Sequence, residues 1–530
     1  MEDDLPKIDR WHSEPLDVHT WSDHPEIKAL YNDLYDAAGL TSLESKGKGN
    51  HKPKQTVKES LRVLILDLYV KWLKDPALSI GFGKGNEDYK VGSRYNGLFI
   101  PRKIVEVEAL LLEAGYVEEL PHFKPKRGQG RSYTTRIRHS QSLRDLFNKL
   151  TIDLPDIDTH ASEECIILHD KYLGDNETNK KDNETNKKVE YKDDVLGEDK
   201  LRLVNTLRDQ LKEYNKLLKR SFIDIPSYEA STFTRIIKKG PYAGRKQVIS
   251  LGPDNKFVTR VFNGGLAGNW ERGGRFYRGW WQQIDKEGRC KIYINDKPTL
   301  EVDFKAFHPN LLSNELGVKL PNDPYDLGEL LLPDVLTSME AQREYVKLLV
   351  LMAINADNDK KVYQAFRNND RKDKLGQSLT DRQLAVLLNK FIEKHPQFDG
   401  VPNTGQALRL MNIDSKIANL IIDHFTQQGI PILCIHDSFI IQHDKEPKLR
   451  RILDQATHQI TSSRISHDIK NDQNSHNVTV SGNIKNYQQP VSVEFHTPIR
   501  IKPTKQYELR KDKFHKWLEI QPALNDDQSS

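Results

Sequence analysis

The stretch PTLEVDFKAFHPNLL, residues 298–312, decides the reading, together with GIPILCIHDSFIIQ, residues 429–442. Each is an apolar strand that delivers one carboxylate, Asp303 or Asp437. In the first, Leu300, Val302 and Phe304 alternate with Thr299, Glu301 and Asp303, so a strand presents an apolar and a polar face. In the second, the aspartate interrupts two apolar runs at a turn. A carboxylate there must be exposed, paired or metal-bound, because burying it bare is costly. Taken singly, each aspartate reads as a turn residue. Taken together, with His436 immediately before the second, they read as a pair that holds divalent cations. Between them lies REYVKLLVLMAINA, residues 343–356, where Arg343, Lys347, Leu351 and Asn355 recur every four residues. That spacing places them on one helix face. Two cations there could grip an anionic triphosphate; on spacing alone, a helix with two snorkelling cations fits better.

Composition limits the alternatives. The chain has 530 residues, a formal net charge of +4, and is 37% hydrophobic and 29% charged. Two to about four domains are expected for this length. The three cysteines, Cys165, Cys290 and Cys434, match no zinc spacing. They predict no disulfide framework and a reducing, cytoplasmic setting. No apolar run reaches the ~18 residues of a membrane span, and the acidic start MEDDLPKIDRW is unlike a signal peptide.

Five regions are expected. Residues 1–55 form a polar arm with a short helix over HPEIKALYNDLYDAAGL and a basic end. Residues 56–145 read as helix, helix and basic hairpin, the order of a winged helix-turn-helix domain. TVKESLRVLILDLYVKWLKD has helical apolar spacing, Pro101 opens and Gly115 closes a second helix, and the hairpin carries Lys124, Lys126, Arg127 and Arg131, followed by Arg136 and Arg138. Such a tip suits duplex phosphates, although a solvated hairpin would look the same. Residues 146–225 read as a linker. In it DNETNKK occurs twice, at 175–181 and 182–188, so 173–198 is expected to be disordered for want of apolar residues; an amphipathic bracing helix follows. Residues 226–475 hold the strands above, with 320–356 and 361–428 mainly helical. VTRVFNGGLAGNWERGGRFYRGWWQQI precedes a hairpin of CKIYI and PTLEVDF across Asn295-Asp296-Lys297. Residues 476–530 read as a polar tail, opening with the hairpin pattern NVTVSGNIKNY.

At this point a resemblance emerges. VDFKAFHPNLL, REYVKLLVLMAINA and IHDSF resemble motifs A, B and C of the family A palm polymerases, the superfamily of DNA polymerase I-type enzymes and phage-type single-subunit RNA polymerases. MNIDSKIANLIIDHF, residues 411–425, looks like the helix that precedes motif C, and ERGGRFYRGWWQQI is similar to a Gly-Arg-x-Tyr segment upstream of motif A in the RNA polymerases. The likeness covers roughly 258–445.

The resemblance implies an α+β fold: a right-hand polymerase with palm and helical fingers, behind the winged helix-turn-helix domain. It implies Asp303 and Asp437 as metal ligands for two Mg²⁺ ions (Mn²⁺ the alternative), roughly 4 Å apart in such sites. Lys347 and Arg343 would bind triphosphate, with Lys347 also protonating the pyrophosphate. His436 would sit by the primer end, and Arg275 and Tyr277 would touch template or product. His308 and Asn355 would line the nucleotide site. The pattern also departs from the family. Asn355 stands where a tyrosine is usual and Leu351 where DNA polymerases have an aromatic. His308 stands in place of the glutamate that helps exclude ribonucleotides, and His-Asp-Ser is the motif C form of the RNA polymerases. No paired Asp-x-Glu exonuclease signature precedes these motifs. The expected function is template-directed nucleic-acid synthesis, by preference of DNA and in the service of a mobile element. The partners would be template and primer nucleic acid and nucleoside triphosphates, with no membrane. Two alternatives stand beside it: a single-subunit RNA polymerase or primase-polymerase, and an inactive DNA-binding replication initiator. A helical scaffold with chance motifs is the plainest reading.

Overall fold

The computed structural model describes residues 7–44, 53–125, 132–169, 188–191, 196–237, 243–264, 270–356, 358–368, 374–400, 406–469 and 500–526. It is a mixed α+β structure. One core runs from Ile27 to Ile157 and a larger one from Cys165 to Ile469. The cores therefore part between residues 157 and 165. The region expected as linker is divided instead: Ile152, Leu154 and Ile157 join the first core, and Val204, Leu211, Tyr214 and Leu218 the second.

In the first body, helices Pro25–Ala37, Pro53–Lys74 and Lys103–Glu113 pack with a four-stranded sheet. The strand order is Ser13–Pro15, Ser79–Phe82, Thr135–His139, Val117–Leu120, with the first pair parallel and the others antiparallel. Arg136 and Arg138 do not join a basic tip, because they lie inside this sheet, 5% and 2% exposed. Arg136 donates to the carbonyls of Arg10 and Thr134, and Arg138 to Glu118. Lys124 is exposed; Lys126, Arg127 and Arg131 lie outside the described residues.

The second body is built on a central antiparallel sheet. Its path is Ile432–Ile435, Ser438–Gln442, Lys297–Phe304, Tyr293–Ile294, Ile223–Asp224, with His467–Ile469 also paired to Lys297–Phe304. The expected hairpin is present: Ile294 faces Lys297, and Asn295 and Asp296 take positive φ (48° and 61°). That is the two-residue turn such residues favour between twisted strands. The polar face expected on Lys297–Phe304 is not solvated, since neighbours fill both edges and both faces are covered. Thr299 donates to the Ile292 carbonyl, and Glu301, fully buried, takes hydrogen bonds from Ser438 and Arg289. Of Thr299, Glu301 and Asp303, Asp303 alone is half-exposed.

Other expectations are amended. Residues 320–338 are turns and loops, and the helix there is Met339–Asn355, started by Ser338, whose Oγ accepts from the Ala341 amide. Of the segment read as disordered, 173–198, residues 173–187 and 192–195 lie outside the described residues, but 188–191 and 196–198 are ordered. Val189 and Tyr191 bury themselves in the second core, supplying the apolar surface that the repeat lacks. Residues 470–499, with the expected NVTVSGNIKNY hairpin, are likewise outside the described residues. Within the region read as a tail, Lys505–Asp526 is a helix whose Tyr507 and Phe514 pack on Phe222. Among the described residues no helix is long and apolar enough to cross a membrane.

The bracing helix is observed as Glu198–Lys219. It is tied to the central sheet by Tyr214, fully buried, which donates to the Ile432 carbonyl at 2.6 Å. Replacing Tyr214 by phenylalanine is expected to cost about 1 kcal/mol, the net worth of one buried hydrogen bond. Urea denaturation of the two proteins measures it.

Candidate active site

Asp303 and Asp437 come together because their strands pair. Asp303 lies opposite Ser438, the residue after Asp437, and the Phe304 amide donates to the Asp437 carbonyl at 3.3 Å. Asp437 is the second residue of a two-residue turn between Ile435 and Ser438. The first, His436, has φ +59°, and Ala306, three residues after Asp303, has φ +43°. Non-glycine residues seldom adopt that left-handed conformation, and such strain gathers at functional sites. Asp437 is half-buried, and its carboxylate makes no hydrogen bond or ion pair among the described residues. Three free cysteines, Cys165, Cys290 and Cys434, are present, the last buried in the strand that leads to this turn.

A cationic arrangement faces the turn. Arg275, on strand Gly273–Tyr277, contacts Asp414 through Nε at 2.6 Å and Nη2 at 2.5 Å. The same Nη2 lies 3.2 Å from His308 Nε2. Arginine can only donate there, so Nε2 is the acceptor and His308 is neutral. Burial pushes the His308 imidazole down to about 4, Arg275 pushes the same way, and Asp437 opposes both. Burial pushes Asp414 up to about 7; Arg275 pulls it down, and Asp437 adds to the rise. Arg275 stays protonated against its own burial because Asp414 and then Asp437 hold the charge. The Tyr277 ring packs edge-on to His436 at 5.5 Å.

Asp414 was not singled out from the sequence. It lies on helix Ala407–Thr426, the one expected before the second strand. The available signal was a polar set, Asn412, Asp414 and Ser415, within an apolar helix; all three are buried. Asn412 and Ser415 donate to the Gly273 carbonyl, and Arg260 to that of Gly274. Gly274 is required: its φ is +89°, and a Cβ would meet Phe262 and Ser415 at 2.7 Å. The helix can therefore close on the strand and set Asp414 beside Arg275.

The helix expected to grip triphosphate is less complete. Arg343 is engaged by Asp323 at 2.5 Å and Glu344 at 2.6 Å. Lys347 and Asn355 are exposed and Leu351 half-buried, so the four-residue spacing does form one outer face. Lys347 makes no hydrogen bond or ion pair among the described residues. The link to the aspartates runs through Tyr325: its hydroxyl is pushed up by burial, opposed by Arg343 and reinforced by Asp323, Glu344 and Asp437. Arg343 and Asp437 thus both lie within electrostatic reach of Tyr325. No hydrogen bond or ion pair joins Lys347 or Asn355 to the turn among the described residues.

Among the described residues no cluster of three or more His, Cys, Asp or Glu side chains gathers as a metal site. Two carboxylates still suit Mg²⁺, which keeps several waters and is usually held by one or two carboxylates plus substrate phosphates.

No protein-family model matches the chain, and no curated protein matches it. Among solved structures, the chain is similar to the POL domain of Pol1 from M. smegmatis, in complex with DNA primer-template and dNTP. The identity is 8% and the TM-score 0.26, over 51% of each chain. The chain thus spans about half the length of that domain.

Proposed function

We propose that the protein is a template-directed nucleic-acid polymerase, with DNA as its preferred product. The observation that supports this reading is the strand pairing that puts Asp303 opposite Ser438, the residue after Asp437, with Arg275, His308 and Tyr325 within electrostatic reach of Asp437. Asp303 and Asp437 would hold Mg²⁺, whose chemistry is to acidify the attacking 3′-hydroxyl and to stabilise charge on the leaving pyrophosphate. Arg275, fixed by Asp414, would lie along the nucleic-acid backbone, and Tyr277 and His436 would form its aromatic neighbour at the primer end. His308, neutral and pinned by Arg275, would fill the space beside the sugar, which favours deoxynucleotides. Lys347, which has no ion pair among the described residues, would supply a cation for the triphosphate, and Arg343 would exchange Asp323 for it on fingers closure; Asn355 would line the same site. The first body would hold duplex through the hairpin with Lys124, Lys126, Arg127 and Arg131, in the manner of a winged helix. Arg136 and Arg138 play no part in that contact.

Primer extension on a defined DNA template tests this. Incorporation of dNTPs, absent in EDTA and restored by Mg²⁺, is expected, with NTPs used at least tenfold less well. Synthesis from NTPs alone without a primer would transfer the assignment to RNA synthesis; none from either would end it.

A further inference from the structure

A second feature lies away from the paired aspartates. A cavity of about 530 Å³ opens between the Glu198–Lys219 helix and the C-terminal helix, and none of the candidate active-site residues lines it. Five cations face it, Lys212, Lys216, Lys219, Arg220 and Lys256, against the carboxylates of Asp158 and Glu213. Lys216 is satisfied by Glu213 and Lys219 by Asp158. Lys212, Arg220 and Lys256 have no ion-pair partner among the described residues.

Lys256 is the informative one. It is only 4% exposed, and its Nζ donates to the Ser221 carbonyl at 2.9 Å. The carboxylates that act on it hold other cations: Asp224 holds Arg510 at 2.8 Å and Asp254 holds Lys74 at 3.5 Å, as Asp158 holds Lys219. Burial accordingly pushes its ammonium down to about 8. A buried cation without a counter-ion is costly, and its wall opens on a cavity of ligand size. An anion placed there would remove that cost. The Trp517 ring, which also lines the cavity, lies 5.6 Å from Lys219 Nζ, and Phe257 adds a second aromatic. Cations beside aromatic rings are the recognition pattern of a phosphate joined to a base.

We propose that this cavity binds one nucleotide, its phosphate against Lys256, Lys212 and Arg220 and its base against Trp517. The same chemistry is offered by a free nucleoside triphosphate and by one nucleotide unit of a single strand. Binding of ATP and of fluorescein-labelled (dT)₈ to the full chain in EDTA separates the two sources. At least one probe is expected to bind. Lys256→Met should weaken that probe at least tenfold. The double substitution Lys212→Met/Arg220→Met, at exposed positions where folding is not at stake, should do the same. ATP binding alone assigns a free-nucleotide site, and oligonucleotide binding alone assigns a strand contact. Binding of neither probe, or a double variant that binds as well as the unaltered protein, overturns the proposal. Both readouts are independent of primer extension, so this site and the polymerase reading can fail separately.

Discussion

Replacing Asp437 by alanine is expected to lower nucleotide incorporation by at least about a thousandfold, with little change in melting temperature. A thousandfold loss corresponds to about 4 kcal/mol of transition-state stabilisation, within what a metal-held site supplies to phosphoryl transfer. The stability half of the expectation follows from the packing. The Asp437 carboxylate makes no hydrogen bond or ion pair among the described residues, so its removal breaks no fold contact. It also removes a like charge that acts on Asp414. His436 keeps its positive φ in either protein, because Ile435 and Ser438 fix the turn from both sides. Asp303→Ala should show the same loss, since Asp303 stands opposite Ser438 on the paired strand. Single-nucleotide incorporation in saturating Mg²⁺ is the measurement. Activity within tenfold of the unaltered protein in either variant would remove Asp303 and Asp437 from the chemistry.

The two strands that bring these acids together were legible because short-range pattern sufficed: apolar alternation, a turn-forming Asn-Asp, and an aspartate that breaks an apolar run. What pattern cannot supply is the far side of the sheet. A strand with Thr299, Glu301 and Asp303 on one face looks half-solvated, yet Arg289 and Ser438 satisfy Glu301 from other segments and let that face be covered. Arg136 and Arg138 were legible only as cations that follow the basic tip. Alternation along a basic strand does not reveal that Glu118 and the Arg10 carbonyl wait for them in a sheet. The Arg343 helix was legible as a face but not in its pairing, because Asp323 reaches it from a loop 20 residues earlier. Asp414 was the largest omission. Its partner lies 139 residues away, and nothing local in either segment reports the contact.

That omission yields the second large effect. Asp414 is 1% exposed and Arg275 mostly buried, and they touch at two points. Asp414→Ala would leave a buried guanidinium with His308, which is neutral, and the charge of Asp437. Removing one partner of a buried pair typically costs about 3–5 kcal/mol, several times the cost expected for Tyr214→Phe. Arg275 would then be drawn toward Asp437, the next carboxylate that acts on it, and would compete there with Mg²⁺. Incorporation should fall about a hundredfold, and added Mg²⁺ should recover part of it. The double variant Asp414→Ala/Arg275→Met separates the two consequences. With the uncompensated charge gone, at least half of the lost stability should return, since replacing both members of a buried pair by apolar groups is often neutral. Incorporation should then no longer respond to extra Mg²⁺, because no arginine competes at Asp437, yet it should stay low if Arg275 itself guides the nucleic acid. Chemical denaturation and a Mg²⁺ titration of single and double variants decide the matter. A double variant as unstable as Asp414→Ala would mean that packing, rather than charge, is what Asp414 provides.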